Sequence, residues 1–295
     1  MKKSINLFGA SLFSLMFFLS GCQNIENKDF SSRHNQNNQI VNSQNIKIKN
    51  QRKEKGNLAS ILIKENPGDI TEKINKTLSK KYGCYLFGIQ LDKINEKIRN
   101  DPRYNTEDFI FSFVVPDNFL VDEMDIYMKI IKDEFKLKVY QKYKSNNILL
   151  LEDYVGIGMH EKGRFSTFSG TYYLQRVVNK PYWYPPEWAN QKKPSYPGEN
   201  NPFGLWMSEL SRLPSQGDYN WRVKRDSGMR IHSTNNPLSI GKKSSHGCIR
   251  MNPKTAEELF KGILYNTYSK PEKANSRGTI HPLKKPIKIE ILDSS

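Results

Sequence analysis

A chain of 295 residues carries 46 Lys and Arg against 30 Asp and Glu, a formal net charge of +16 with a pI near 9.5. Its mean hydropathy of −0.70 fits a soluble protein with one removable apolar segment rather than a chain built for the bilayer. So basic a chain raises nucleic acid as a partner, but no nucleic-acid motif is visible, and attraction to an acidic polymer is the simpler account.

Met1-Lys2-Lys3 is a cationic start, Ile5 to Leu19 is largely apolar, and Leu19-Ser20-Gly21-Cys22 closes the segment. So short an apolar stretch, ending in small residues, reads as a secretory signal over 1–21 and not as a membrane span. Leu-Ser-Gly-Cys resembles a bacterial lipobox, which makes Cys22 the expected lipidated first residue of an exported, membrane-anchored protein facing the periplasm. Gln rather than Asp at position 23 favours the outer membrane by the sorting rule of some Gram-negative bacteria. Residues 22–56 are rich in Asn, Gln, Lys and Ser and read as a disordered tether. About 34 such residues reach roughly 30 Å on average and over ~100 Å when straight.

Residues 57–139 read as a small α+β accessory region of unassigned role. Ile70, Ile74 and Leu78 follow helical spacing, with a start near Asp69 and a stop at Gly83. Ile94 and Ile98 suggest a second short helix, and Phe109 to Val115 is a β-rich run. Met124, Met128, Ile131 and Phe135 predict a helix over Asp122–Phe135, followed by a strand on the alternation of Phe135, Leu137, Val139 and Tyr143.

Residues 140–295 read as mainly β. Ile148–Leu151, Tyr154–Gly158, Thr171–Val178 and Pro286–Leu292 predict strands, and Pro253–Leu264 a helix capped by Asn252 with Pro253 at its first position. Many short strands with one helix suit a curved sheet or sandwich. A loop rich in Pro and aromatics, from Lys180 through Trp183, Tyr184, Trp188 and Tyr196 to Trp206, interrupts this pattern. It is either a substrate-binding lid, with Trp183 and Tyr184 on the ligand, or a satellite core with its rings turned inward.

The chemistry concentrates in Ser244-Ser245-His246-Gly247-Cys248-Ile249-Arg250-Met251. If that run is extended, His246, Cys248 and Arg250 share one face: a base, a nucleophile and an anion-binding fork. Gly247 lets a substrate approach the backbone. His232, in Arg230-Ile231-His232-Ser233-Thr234, lies upstream, and the turn-rich Asn235-Asn236-Pro237 folds the chain back towards Cys248. A Cys–His pair suits acyl transfer, since the imidazole takes the thiol proton and returns it to a leaving group. Backbone N–H groups at Gly247 and Cys248 would serve the oxyanion. A structural thiol among polar histidines is the plain alternative, and a zinc site of His232, His246 and Cys248 is the other chemical one. The latter lacks paired-ligand spacing. Of the three cysteines, Cys84 reads as a buried hydrophobe, and no disulfide to Cys248 is expected.

The pattern His-x(13)-Ser-His-Gly-Cys-x-Arg from His232 to Arg250 resembles the signature of the L,D-transpeptidase (YkuD-like) catalytic domain family. Asn201-Pro202-Phe203-Gly204, Gly170-Thr171-Tyr172-Tyr173 and Met251–Ala256 resemble flanking stretches of the family. The chain departs from it at His232-Ser233, where many members have His-Gly, and at Thr167-Phe168-Ser169-Gly170, where the family's proline is absent. The resemblance implies a mainly β, sandwich-like catalytic domain with one or two helices and no cofactor. It implies Cys248 as nucleophile, His232 as base oriented by Ser233, and His246 and Gly247 shaping the site. Arg250 and Ser245, with Trp183 and Tyr184, would contact substrate. Adjacency in sequence favours His246 as the base instead, and sequence alone leaves that choice open. The implied reaction is thioester formation on a peptidoglycan tetrapeptide stem, ending in a 3–3 cross-link, a wall-attached protein or hydrolysis. A non-catalytic wall-binding lipoprotein is the reading from a different class.

Overall fold

The computed structural model describes residues 56–65, 67–160, 165–187, 189–198, 200–220, 222–267, 269–270 and 272–294. The signal segment, Cys22 and the tether up to Gly56 lie outside them, as does Trp188. Among the described residues no helix is long and apolar enough to cross a membrane.

β1 (Gly56–Ile63) pairs antiparallel with β2 (Phe109–Pro116), forming a separate two-stranded sheet. β1 is an addition to the elements read from sequence. Its alternation of buried Ala59, Ile61 and Ile63 with exposed Leu58 and Leu62 is short and abuts the polar stretch, so it gives little periodic signal. α1 (Ile70–Tyr82) begins where Asp69 accepts the Glu72 N–H at 3.2 Å and ends at Gly83 in the left-handed region, φ 63°. α2 (Ile89–Arg99) buries Leu91, Ile94 and Ile98.

The helix expected over Asp122–Phe135 is a strand, β3 (Asp125–Ile131). Met124, Met128, Ile131 and Phe135 satisfy helical spacing, but Ile126, Met128 and Ile130 also alternate, and all three are buried. Pairing decides between the two periods: β3 runs antiparallel to β4 (Lys136–Tyr143) and parallel to the C-terminal strand β12 (Gly278–Leu292). The two short strands expected between Ile148 and Gly158 form one, β5 (Asn146–Gly158).

The remaining elements are β6 (Gly170–Asn179), β7 (Trp206–Ser211), β8 (Asp226–Ser233), β9 (Lys243–Ser245), β10 (Ile249–Met251), α3 (Pro253–Asn266) and β11 (Lys273–Asn275). Neighbours in the ten-stranded sheet run β10-β8-β7-β6-β12-β3-β4-β5-β9, with β11 on β12. Because β10 also pairs with β5, the sheet closes on itself, a mainly β arrangement as the sequence implies. α3 starts at its Asn252 cap, whose side chain accepts the Lys254 N–H, and Phe260 stacks on Trp206 of β7 at 6.1 Å.

The boundary expected at 139/140 needs correction. It falls inside β4, which pairs with β3 on one side and β5 on the other. One apolar cluster joins Ile74, Leu78 and Leu91 of the helices to Met128, Val139, Ile231 and Ile249 of the sheet. β3 and β4 therefore belong to the closed sheet, and α1, α2, β1 and β2 pack on the same core.

Candidate active site

β8 and β10 are parallel neighbours, with Ile249 opposite Ile231, Arg250 opposite His232 and Met251 opposite Ser233. Side chains alternate along a strand, so Ile231, Ile249 and Met251, all fully buried, turn into the core. Arg230, His232 and Arg250 take the other face, and Cys248 enters β10 beside Arg230. The parallel pairing thus joins the two motifs that sequence leaves sixteen positions apart.

The run Ser244–Met251 is not one extended strand. β9 runs parallel to the end of β5, β10 returns antiparallel to it, and His246–Cys248 form the turn between them. Gly247 makes the turn with φ 106°, a conformation side-chain-bearing residues rarely adopt. Ser245, expected to touch substrate, is 1% exposed and serves the turn. Its hydroxyl accepts the Gly247 N–H at 3.2 Å and donates to the Cys248 carbonyl at 2.6 Å. Gly247's N–H is therefore engaged within the protein, and Cys248's own N–H is the donor of this turn suited to an oxyanion. Thr167 ties the turn to β5, accepting the Gly158 N–H at 2.8 Å and donating to the Gly247 carbonyl at 3.0 Å. The proline missing from Thr167–Gly170 is replaced by other restraints. Lys132 donates to the Thr167 carbonyl at 3.1 Å and pairs with Asp293 at 2.6 Å, while Ser169 bonds Asp293 at 3.0 Å.

His232 is buried, and its Nδ1 bonds the Ser233 carbonyl. A carbonyl only accepts, so Nδ1 carries the proton and Nε2 is the basic nitrogen. Burial holds the imidazole down to about 3, helped by the Arg250 and Arg230 charges and opposed by the Ser233 bond. At neutral pH it is uncharged and able to accept a proton. Ser233 orients His232 through its carbonyl, while its hydroxyl does something else: it accepts from the Leu205 N–H at 3.0 Å and donates to the Phe203 carbonyl at 2.8 Å.

That second contact accounts for Asn201-Pro202-Phe203-Gly204. Buried Asn201 donates to the Pro181 carbonyl at 2.7 Å and accepts the Phe203 N–H at 2.8 Å, closing a tight turn. The Phe203 ring stands edge-on to His232 at 4.9 Å. A Cβ on Gly204 would fall 2.2 Å from Ser233 Oγ, so only glycine lets the turn dock here.

Cys248 is a partly exposed free thiol. Its burial pushes it above the usual thiol range, against the pull of the Arg230 charge, the Arg230 N–H bonded to the sulfur, and Arg250. Cys84 is a buried free thiol raised to about 11 by burial. Arg230, which the sequence reading did not single out, is held by Asp226 through bonds of 2.7 and 2.8 Å. It faces Glu209 across the β7–β8 pair, and Glu209 is itself bound by Arg176 at 2.6 and 2.9 Å. The available signal was its place two residues before His232, on the same strand face.

His246 lies in the turn, half-buried. Trp183 exchanges backbone bonds with Ser195, and the Tyr184 hydroxyl donates to the Ser276 carbonyl at 3.0 Å between β11 and β12. The part of the aromatic loop that reaches His232 is Asn201–Gly204. Among the described residues no three His, Cys, Asp or Glu side chains converge as a metal site would require, so His232, His246 and Cys248 do not assemble as zinc ligands.

The closed, mainly β sheet brings the turn that carries Cys248 and the strand that carries His232 together, through the parallel pairing of β10 with β8. The sequence model of the L,D-transpeptidase catalytic domain family (YkuD) matches residues 125–283, more than half of the chain, and the chain belongs to this family. Solved structures similar to it include Bd1075 of Bdellovibrio bacteriovorus, at 17% identity over 58% of this chain and 48% of that one, TM-score 0.34. An L,D-transpeptidase from Mycobacterium smegmatis is 14% identical over 62% of each chain, TM-score 0.34. The helical cell shape determining protein Pgp2 from Campylobacter jejuni is 14% identical over 59% of this chain and 49% of that one, TM-score 0.34. The chain thus spans from about half to under two thirds of these structures' length. Comparison with curated proteins gave no match.

Proposed function

We propose that the chain is an exported, lipid-anchored L,D-transpeptidase that works on peptidoglycan stem peptides through a thioester on Cys248. The observation that carries this reading is a partly exposed thiol immediately before β10, the strand that runs parallel to β8, where His232 is a neutral imidazole whose Nδ1 is committed to a carbonyl. Such a pair starts as thiol and free base, and the charge separates only when substrate is attacked.

In this reading Nε2 of His232 takes the Cys248 proton as sulfur attacks the carbonyl of the L,D bond after the third residue of a tetrapeptide stem. The Cys248 N–H receives the oxyanion. His232 then protonates the departing D-alanine amine, leaving a thioester. An amine of a neighbouring stem attacks next, His232 removes its proton, and collapse returns the proton to sulfur with a 3–3 cross-link formed. A side-chain amine of a wall-linked protein, or water, would enter at the same step and give protein attachment or L,D-carboxypeptidase activity. Arg250, opposite His232, is the group suited to a substrate carboxylate. The signal over 1–21, Cys22 and the tether would place the enzyme in the cell envelope within reach of the wall. Incubation with purified sacculi, followed by muropeptide profiling, tests the assignment. New 3–3 dimers support it; tripeptides without dimers favour hydrolysis, and an unchanged profile rejects both.

A further inference from the structure

A groove of about 750 Å³ between α1 and α3 takes no part in the chemistry above. Tyr85 and Tyr265 form an aromatic platform in it, with ring centroids 5.0 Å apart and planes 16° from parallel. Tyr265 is 54% exposed, so an apolar ring is offered to whatever enters.

The platform is held with unusual care. Asn75 of α1 and Asn266 of α3, both buried, each bind the N–H and the C=O of a single residue with the two ends of the amide. Leu86 N–H donates to Asn75 Oδ1 at 2.8 Å, and Asn75 Nδ2 returns a bond to the Leu86 carbonyl at 3.0 Å. Tyr85 N–H donates to Asn266 Oδ1 at 3.0 Å, and Asn266 Nδ2 donates to the Tyr85 carbonyl. Two buried amides thereby fix the backbone from which the Tyr85 ring projects.

We propose that this groove binds a polysaccharide strand, the glycan of the wall polymer; the identity of that polymer rests on the function proposed above. A sugar ring presents a flat face of C–H groups that packs on an aromatic ring, while its hydroxyl and acetamido groups need donors and acceptors around the rim. Glu72 and Lys76 on α1, and the Glu257–Lys261 pair at 2.6 Å on α3, supply them. Charge separates this occupant from a stem peptide. Four carboxylates face three ammoniums in the groove, although the chain as a whole carries +16. An anionic stem peptide finds no attracting field there, and a neutral sugar strand needs none. α3 leaves β10 through Asn252 alone, so the element bearing the platform is joined directly to the strand that follows Cys248.

The test is titration of the full chain with N-acetylglucosamine hexamer, in parallel with acylation of Cys248 by a carbapenem read by intact mass. Tyr265→Ala should weaken hexamer binding by about tenfold and Tyr265→Trp should retain it, with acylation unchanged in both. Hexamer binding without acylation would leave the groove standing and remove the transpeptidase reading. Acylation without hexamer binding, equal binding by Tyr265→Ala, or displacement of the hexamer by free tetrapeptide would each overturn the groove proposal.

Discussion

Cys248 and His232 are both uncharged at rest, and burial is the leading cause in each case. An ordinary imidazole protonates near 6.5, whereas His232 stays neutral down to about 3. Acylation should therefore not fall as pH drops through 6.5; a rate that halves there in stopped-flow measurements would contradict the buried base. His232→Gln should slow acylation by about 10²–10⁴-fold, the usual share of a general base. Arg230 most strongly opposes the effect of burial on Cys248, since its guanidinium and its N–H both draw the thiol down. Arg230→Met should therefore move the pH profile of Cys248 alkylation upward, and Arg230→Lys should restore part of the shift. An unmoved profile in Arg230→Met would reduce the residue to a structural partner of Asp226.

At the scale of elements, two turns hold the seam: His246–Cys248 and Asn201–Gly204. Gly204→Ala would set a methyl 2.2 Å from Ser233 Oγ at a φ of 61°. We expect about 1–3 kcal/mol of lost stability, measured by urea unfolding, and slower acylation because the Ser233–His232 corner moves. Legibility in the sequence varied element by element. Asp69 and Gly83 bracket α1 as their chemistry demands, and Asn252-Pro253 opens α3. β3 was not legible, because its apolar residues satisfy both helical and strand periods until β4 and β12 pair with it. The Ser-His-Gly-Cys motif announced the thiol, but the parallel register that sets Arg250 opposite His232, and so brings the thiol's turn to β8, is a long-range pairing that no local pattern encodes. Ser245 illustrates the same limit. A hydroxyl beside a nucleophile reads as a substrate contact, yet its two backbone bonds make it the brace of the turn.

Across the whole molecule, the two most deeply buried of the shifted acid-titrating groups, His232 and Glu209, both make acid a destabilising condition. His232 has a folded value well below its unfolded 6.5, so the unfolded chain binds the extra proton and stability falls as pH drops from about 6.5 towards 3. Glu209 acts in the same sense. Burial alone would raise it, but the Arg176 bonds outweigh this and hold it below 4.5, so its contribution is present above that value and lost as pH falls through the folded one. Urea midpoints should therefore decrease between pH 7.5 and 4.5, and the slope should be shallower in His232→Phe. A midpoint that rises on acidification would contradict this.

The central claim is that Cys248 is the nucleophile of an acyl-transfer site, and intact-mass spectrometry after incubation with a carbapenem tests it most directly. A single covalent adduct is expected, absent in Cys248→Ala and formed far more slowly in His232→Gln, with Cys84 unmodified. An unmodified wild-type mass, or an adduct that persists in Cys248→Ala, would contradict it.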